Sequence, residues 1–371
     1  MSTEKRTDAP APATAAATRA PATRILVTGG AGFIGSHYVR TLLSKDGSGD
    51  GNGDGSGNGA GQDRPYVTVL DKLTYAGVPA NLDPVRHSDR FRFVHGDICD
   101  VELVDRLAAE HDQIVHFAAE SHVDRSVREA DAFVRTNVLG TQRLLDAALH
   151  NGVSVFVHIS TDEVYGSIDH GSWTEESPLA PNSPYAAAKA SSDLFALACH
   201  HTHGLDVRVT RCSNNYGHHH FPEKLIPLFV TNLMDGLEVP LYGDGGNIRD
   251  WLHIDDHIRG IELVRTGGRA GEVYHIGGGA ELSNRELTGM LVEAVGADPR
   301  LVRHVEDRKG HDRRYSLDWS KIRDELGYRP VRRFEEALAE TVAWYRDNRA
   351  WWEPLKQRAA LLPPPPGDGP A

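Results

Sequence analysis

Cysteine and methionine are scarce, with three of each in 371 residues. Cys99, Cys199 and Cys212 are scattered and form no CxxC pair. That excludes a disulfide framework and a thiolate zinc site, and it fits a reducing compartment, so a cytoplasmic location is expected. No apolar run approaches the roughly 20 residues that span a bilayer. The first residues also lack the apolar stretch of a secretory signal. Positive charge is in deficit too: 40 Lys and Arg stand against 52 Asp and Glu, a net charge of −12. Such a chain has no general attraction for phosphate backbones, so nucleic acid is not an expected partner. What is present is an ordinary core-forming composition, 40% hydrophobic and 25% charged.

Three segments carry no apolar period. Residues 1–22 are rich in Ala, Pro and Thr and read as a disordered extension. From Gly47 to Gly61 every second residue is Gly, so the tract 46–63 reads as an exposed inserted loop that can bury nothing. Residues 353–371, ending in PPPPGDGPA, read as a Pro-rich tail. Between them, short apolar runs (RILVT, YVTVLD, FRFVH, QIVHF, VSVFVHIS) alternate with helical spacing. One helical stretch covers Asp131–His150. Another, Pro184–His203, starts with Ser183 as N-cap and Pro184 at its first position. This alternation predicts right-handed βαβ crossovers and a Rossmann-type, doubly wound parallel α/β sheet. Residues 24–208 are expected to form the nucleotide-binding domain. Residues 209–352 are expected to form mainly a smaller substrate-binding region, with some segments returning to the sheet.

Gly30-x-Gly32-x-x-Gly35 sits between the first strand and the first helix, overlapping the spacing Gly29-x-x-Gly32-x-x-Gly35. Without Cβ atoms, such a turn lets a pyrophosphate lie against the amides that open the helix. The fingerprint expects an acid about 20 residues later at the end of the next strand. Asp71 lies 36 residues after Gly35, a distance that falls to 18 once the 18-residue tract Asp46–Asp63 is set aside. Asp71 therefore reads as the ligand of the adenosine ribose, although a solvated acid at a strand end has the same spacing. A carboxylate there repels a 2′-phosphate and favours NAD over NADP, while Lys72 beside it works against that preference.

Tyr185-x-x-x-Lys189 places a phenol and an ammonium on one helix face. The lysine cation one turn away, helped by the positively charged ring of a bound nicotinamide, lowers the phenol pKa toward the range of a useful base. The preceding strand ends in Ser160-Thr161, at the sheet edge where open α/β proteins bind ligands. Directly after it come Asp162 and Glu163. Oxidising a sugar alcohol acidifies the neighbouring C–H, which Glu163 is placed to remove. Asp162, if kept protonated, can protonate the departing hydroxyl. That combination is a dehydration. The alternative is that one of these carboxylates only caps the following turn.

Taken together, TGGAGFIGS, LDKLTYAG, HGDI, HFAAESHVDRS, ISTDEVYG, YxxxK, SNNYG, HFPEKLIP, LYGDGGNIRDW and DRKGHDRRY resemble the dTDP-glucose 4,6-dehydratase family of the extended short-chain dehydrogenase/reductases. The resemblance runs from about Arg24 to Tyr345. It implies Thr161, Asp162, Glu163, Tyr185 and Lys189 as catalytic residues. It also implies an NAD site made by Gly29, Gly32, Phe33, Ile34, Gly35, Asp71, Lys72, Leu73, Thr74, Asp97, Ile98, Phe117, Ala118, Ala119, Ser121, Thr136 and Asn215, with Tyr185 and Lys189 on the nicotinamide side. For a dTDP-glucose substrate it implies Ser121, Thr161, Asn214, Lys224, Leu225, Pro240, Tyr242, Arg249, Asn284, Arg308 and His311. A homodimer paired through Asp131–His150 and Pro184–His203 is implied too, with Leu144, Leu145, Leu194 and Phe195 as its apolar residues.

His218 and His219 stand where the family has Pro-Tyr. Consecutive histidines seldom reach one ion, so no metal site is expected. A nucleotide-sugar 4-epimerase would share the glycine turn, Asp71 and the Tyr–Lys pair, but has no need of the Asp162-Glu163 acid–base pair. A dehydratase acting on a UDP- or GDP-sugar remains an alternative, as does, more remotely, a non-catalytic NAD-sensing regulator.

Overall fold

The computed structural model describes residues 22–44, 64–307 and 310–361. The readings made for residues 1–21, for the Gly tract and for the chain beyond 361 lie outside these described residues.

Seven strands form the central sheet: β1 (Arg24–Thr28), β2 (Tyr66–Asp71), β3 (Phe91–His95), β4 (Gln113–His116), β5 (Val155–Thr161), β6 (Val207–Cys212) and, after three strands of a smaller lobe, β10 (Val273–Ile276). Those three are β7 (Asn214–Tyr216), β8 (Val239–Tyr242) and β9 (Ile248–His253), and the lobe ends with β11 (Glu281–Ser283) and β12 (Val302–Val305). The sheet order is β3-β2-β1-β4-β5-β6-β10, and every pairing in it is parallel. A parallel strand covered on both faces must be apolar on both sides. β5 shows this, being buried along its whole length. On β1, Ile25 and Val27 join one core while Leu26 joins the core on the opposite face, the two-residue alternation of a strand.

β6 runs through the boundary drawn at residue 208, so the division of the chain falls inside a strand of the main sheet. After it, β7, β9 and β11 make a three-stranded sheet and β8 pairs with β12. These pack with the helices Leu225–Met234, Asn284–Val295 and Phe334–Asp347 around Phe229, Leu287, Leu291 and Trp352. Residues 353–361, grouped with the tail from their composition, are instead the last turns of the helix Arg349–Leu361. The Pro-rich composition begins only beyond it, and the buried Trp352 and Leu355 hold the helix down.

The stretch Asp131–His150 is helical but not uniform: Val134–Gly140 is a π turn between two α segments. Such turns are frequent at functional sites. Here the buried Asn137 reaches back to the loop after β4, with its Oδ1 accepting from Glu120 N at 2.8 Å and its Nδ2 donating to Glu120 O at 2.9 Å. Leu144 and Leu145 face the chain's own core and are almost fully buried, so they cannot form part of an outer face. Leu194 and Phe195, at 58% and 48% exposure, do point outward.

Candidate active site

The carboxyl ends of the strands converge on one cavity of about 880 Å³ between the sheet and the smaller lobe. The glycine turn forms its floor. Gly29 has φ +71°, and a Cβ there would meet Ala118 N at 2.6 Å. A Cβ on Gly35 would meet Gly29 O at 2.3 Å. The turn must therefore be glycine to lie this close to the β4 loop and to itself. The helix Phe33–Leu43 starts at Gly32 with no side-chain cap, which leaves first-turn amides available to an anion.

Asp71, at the end of β2, is nearly buried. Its Oδ2 accepts from Ala31 N at 2.9 Å and its Oδ1 from Leu73 N at 2.8 Å. Burial raises its pKa against these two amides, which lower it. Lys72, which the sequence reading sets against the NAD preference of Asp71, pairs its ammonium with Asp97 Oδ2 at 2.7 Å.

At the other end of the cavity, β5 stops at Thr161 and a 3₁₀ turn, Asp162–Tyr165, begins. Thr161 caps it, with Oγ1 accepting from Glu163 N at 3.3 Å. Neither carboxylate of the pair is the cap, and both line the cavity. Asp162 is 2% exposed, and its Oδ2 has no hydrogen-bond partner. Burial, then the charges of Glu163 and Asp250, push its pKa well above the usual carboxylate range, with Arg249 opposing.

Tyr185 and Lys189 project from the first turns of the helix Pro184–His203, which Ser183 caps through its side chain. Lys189 Nζ donates to Ile159 O at 2.6 Å. Burial lowers its pKa to about 8, with Asp193 and Cys212 opposing. The Tyr185 phenol is pushed well above its ordinary value by burial and by Glu163, with a hydrogen bond to Thr161 opposing. Burial is the largest of these effects, and Lys189, whose ammonium turns to a carbonyl, is not among the groups acting on the phenol; the sequence reading counts on the nicotinamide cation as well.

The cavity wall includes every residue inferred from the sequence for cofactor, substrate and catalysis except two. Leu73 is outside the wall, where its φ of +54° and its amide bond to Asp71 shape the turn after β2. Arg308 lies outside the described residues. Among the substrate-side residues, the Arg249 guanidinium sits 4.2 Å over the Tyr315 ring and donates to the carbonyls of Ile248 and Asp312. Tyr242 meets His311 edge-on at 6.2 Å, and Lys224 Nζ donates to Ser121 O at 2.7 Å.

Several buried polar atoms of the wall lack partners among the described residues: Ser160 Oγ, Asp162 Oδ2, Asn214 Oδ1 and Asn284 Oδ1. Buried unpaired groups are costly unless a ligand satisfies them. They fit a hydroxyl-rich sugar, as the glycine turn and Asp71 fit a dinucleotide.

Sequence reasoning missed other wall residues. Glu223 is bonded by Tyr75 Oη at 2.8 Å and by Arg125 Nη2 at 3.3 Å. His220 stacks on Phe33 with ring centroids 4.1 Å apart. Lys356 comes from the last helix. Glu223, within the EKLIP block, carried a signal; Lys356 belongs to no motif. His218 and His219 pack on Trp344 at 5.5 and 4.4 Å, an aromatic contact that gives these substitutions a packing role.

A family model described as GDP-mannose 4,6 dehydratase matches residues 26–341. A dTDP-glucose 4,6-dehydratase of Streptomyces antibioticus is 64% identical over 349 residues, covering 93% of this chain and 99% of the relative. The chain belongs to the dTDP-glucose 4,6-dehydratase family. A second member, from Streptomyces griseus, is 62% identical over 339 residues, 91% of this chain and 99% of its own. The solved family structure of DesIV from Streptomyces venezuelae, with NAD and dTDP bound, superposes with TM-score 0.83 at 62% identity, covering 90% of this chain and 99% of that one. A UDP-glucose 4-epimerase of Thermotoga maritima is more distant, at 32% identity and TM-score 0.77 over 88% of this chain and 99% of its own. The shared fold thus extends beyond the family, and the Asp162-Glu163 pair is the local feature to weigh.

Proposed function

We infer that the chain is an NAD-dependent hydro-lyase that converts dTDP-glucose to dTDP-4-keto-6-deoxyglucose. The observation that carries this reading is a buried Asp162, its pKa pushed up by burial, beside Glu163 at the cavity end of β5. An epimerase that only oxidises and reduces C4 has no use for that acid. Kinship at 62–64% with dehydratases, against 32% with an epimerase, supports the same choice. The family model named for a GDP-sugar spans the broader group, while the relatives at highest identity are named for the dTDP-sugar.

When bound, NAD supplies the acceptor for the C4 hydride and the donor that returns it at C6. The residues manage protons. Tyr185 takes the C4 hydroxyl proton, assisted by the Thr161 hydroxyl and the Lys189 ammonium. Glu163 removes the C5 proton that the new ketone acidifies, and Asp162 protonates the C6 hydroxyl, which leaves as water. Glu163 then returns a proton to C5. The proton held by Tyr185 makes good the one lost by Asp162, so the site ends as it began and the net change is loss of one water.

Asp71 accepts the adenosine ribose hydroxyls, and Arg249, Lys224 and Arg308 supply cations for the diphosphate. The exposed side chains Val134, Leu194 and Phe195 support a homodimer joined through these helices. Among the described residues no helix is long and apolar enough to cross a membrane. Three free cysteines support a cytoplasmic setting. Incubating the protein with dTDP-, UDP- and GDP-glucose and weighing the products tests the reading. Loss of one water from the dTDP-sugar alone is expected; no dehydration of any of the three sinks it.

A further inference from the structure

Between β7 and the helix Leu225–Met234, the segment His220–Lys224 leaves the smaller lobe and lines the cavity. Its side chains reach three elements of the nucleotide-binding side. The His220 ring stacks on Phe33, the first residue of the helix that follows the glycine turn. Phe221 meets Tyr75, in the loop after β2, edge-on at 5.6 Å. The Glu223 carboxylate takes one bond from the Tyr75 hydroxyl and another from Arg125, on the short helix Val123–Arg128 beyond the β4 loop. Lys224 closes the row with its bond to Ser121 O in that same loop. On its own side the segment is rooted: the buried Tyr345 donates to His220 O at 2.6 Å, and Lys224 is the N-cap of the next helix. One short stretch of chain thus bridges the glycine-turn helix, the loop that carries Asp71 and the loop that carries Ala118 and Ala119.

We propose that Tyr75 and Arg125 are positioning residues that fasten His220–Lys224 as a strap across the cofactor site, so that the dinucleotide is retained through the reaction cycle. The proposal rests on the reading of this cavity as one whose NAD is reduced and reoxidised on a single sugar. Such a cycle needs the same cofactor from beginning to end, because the hydride taken at C4 must still be present when C6 is ready to receive it. Retention is set by the rate of release, and release is slow when the loops around a ligand are tied to one another. Glu223 makes that tie. It accepts from both cofactor loops at once, and the Arg125 guanidinium lies 3.8 Å over the Tyr75 ring, so the two donors also fix each other. Packing alone does not call for this arrangement. Phe221 already joins Val78 and Leu355 in an apolar cluster that holds the strap to the fold. A carboxylate enclosed beside that cluster, its side chain only 9% exposed, costs desolvation that its two donors offset.

The test measures cofactor release and not turnover. Holoenzyme loaded with isotopically labelled NAD is chased with unlabelled NAD, and the label left on the protein is followed with time. Tyr75→Phe keeps the ring under Arg125 and against Phe221 and removes only the hydroxyl. Arg125→Gln removes the cation. Each is expected to release label about tenfold faster than wild type, the worth of roughly one hydrogen bond to a charged group. The double variant is expected to release at least as fast as either single one, because both bonds end on one carboxylate. Tyr274→Phe is the matched control: it removes a hydroxyl bonded to Glu325 at 2.9 Å, on β10 and outside the cavity wall. Its release rate is expected to equal that of wild type. Wild-type release from either Tyr75→Phe or Arg125→Gln, or an equal acceleration in Tyr274→Phe, would overturn the proposal. A wild-type protein that holds labelled NAD but removes water from no nucleotide sugar would instead overturn the functional reading on which it stands.

Discussion

At the residue scale, the acid and the base of the elimination are separated by environment. Asp162 is enclosed, with a pKa well above a normal carboxyl, whereas Glu163 is only partly buried. Asp162→Asn keeps the side-chain size but removes the acid, so oxidation should proceed while water loss slows by about 10²- to 10⁴-fold. Bound NADH should then accumulate at 340 nm. Glu163→Gln should give the same accumulation and also suppress exchange of the C5 hydrogen with solvent deuterium, read by mass spectrometry of recovered sugar. Tyr185→Phe should show neither NADH nor product. The pH dependence has a definite sign. Lys189 has a pKa lowered to about 8, so its ammonium, and with it the oxidation rate, should decline above roughly pH 8 rather than near the ordinary lysine value. A flat rate up to pH 10 would contradict this role of the ammonium.

At the element scale, strands and helices with strong periodicity were readable, because the sheet is apolar on both faces. The Ser183 cap and Pro184 start were visible in the letters and are present in the helix. What could not be read was geometry that depends on distant packing. The π turn at Val134–Gly140 has no local signature. Gly140 allows the close approach, since a Cβ there would meet Ile98 Cδ1 at 2.5 Å. The helix Arg349–Leu361 was obscured by the prolines that follow it, and its contribution of Lys356 to the cavity depends on Trp352 and Leu355 docking. The sense of the Tyr185 shift was also hidden, because it depends first on how deeply the folded chain buries the phenol. The connection between Ser44 and Arg64 gives an element-level test. Crossovers of this kind need only about 2–6 linking residues, so replacing Gly47–Gly61 by a short turn should leave turnover within a few-fold. Loss of substrate binding in a folded deletion would assign the tract a role in the site.

At the scale of the whole molecule, the candidate site was legible because its residues sit in contiguous motifs that the sheet gathers at one edge. The surface proposed for a dimer contact was legible only in part. Leu194 and Phe195 are exposed, but Leu144 and Leu145 are core residues, since periodicity tells which residues share a face and not which face is covered by the chain itself. Light scattering at micromolar concentration should return the mass of a dimer for the intact protein. Leu194→Glu, which puts a charge at a 58% exposed position, should lower that mass toward a monomer without lowering the melting temperature appreciably. An unchanged dimer would place the contact elsewhere.

Asp71 has a consequence for anyone re-engineering the coenzyme preference. The usual route toward a phosphorylated dinucleotide is to replace the strand-end acid with a small neutral residue and add a cation nearby. Here the acid also fastens the glycine turn through Ala31 N and the following loop through Leu73 N. Exchanging it for Ala would release both amides at once, at about 1–3 kcal/mol for the buried Ala31 N left without a partner and less for the part-buried Leu73 N. Selectivity and scaffold are thus tied to the same two oxygens. A redesign would have to restore both amide acceptors before it could redirect the pocket, and Asn, which keeps one carbonyl oxygen, would satisfy only half of that requirement.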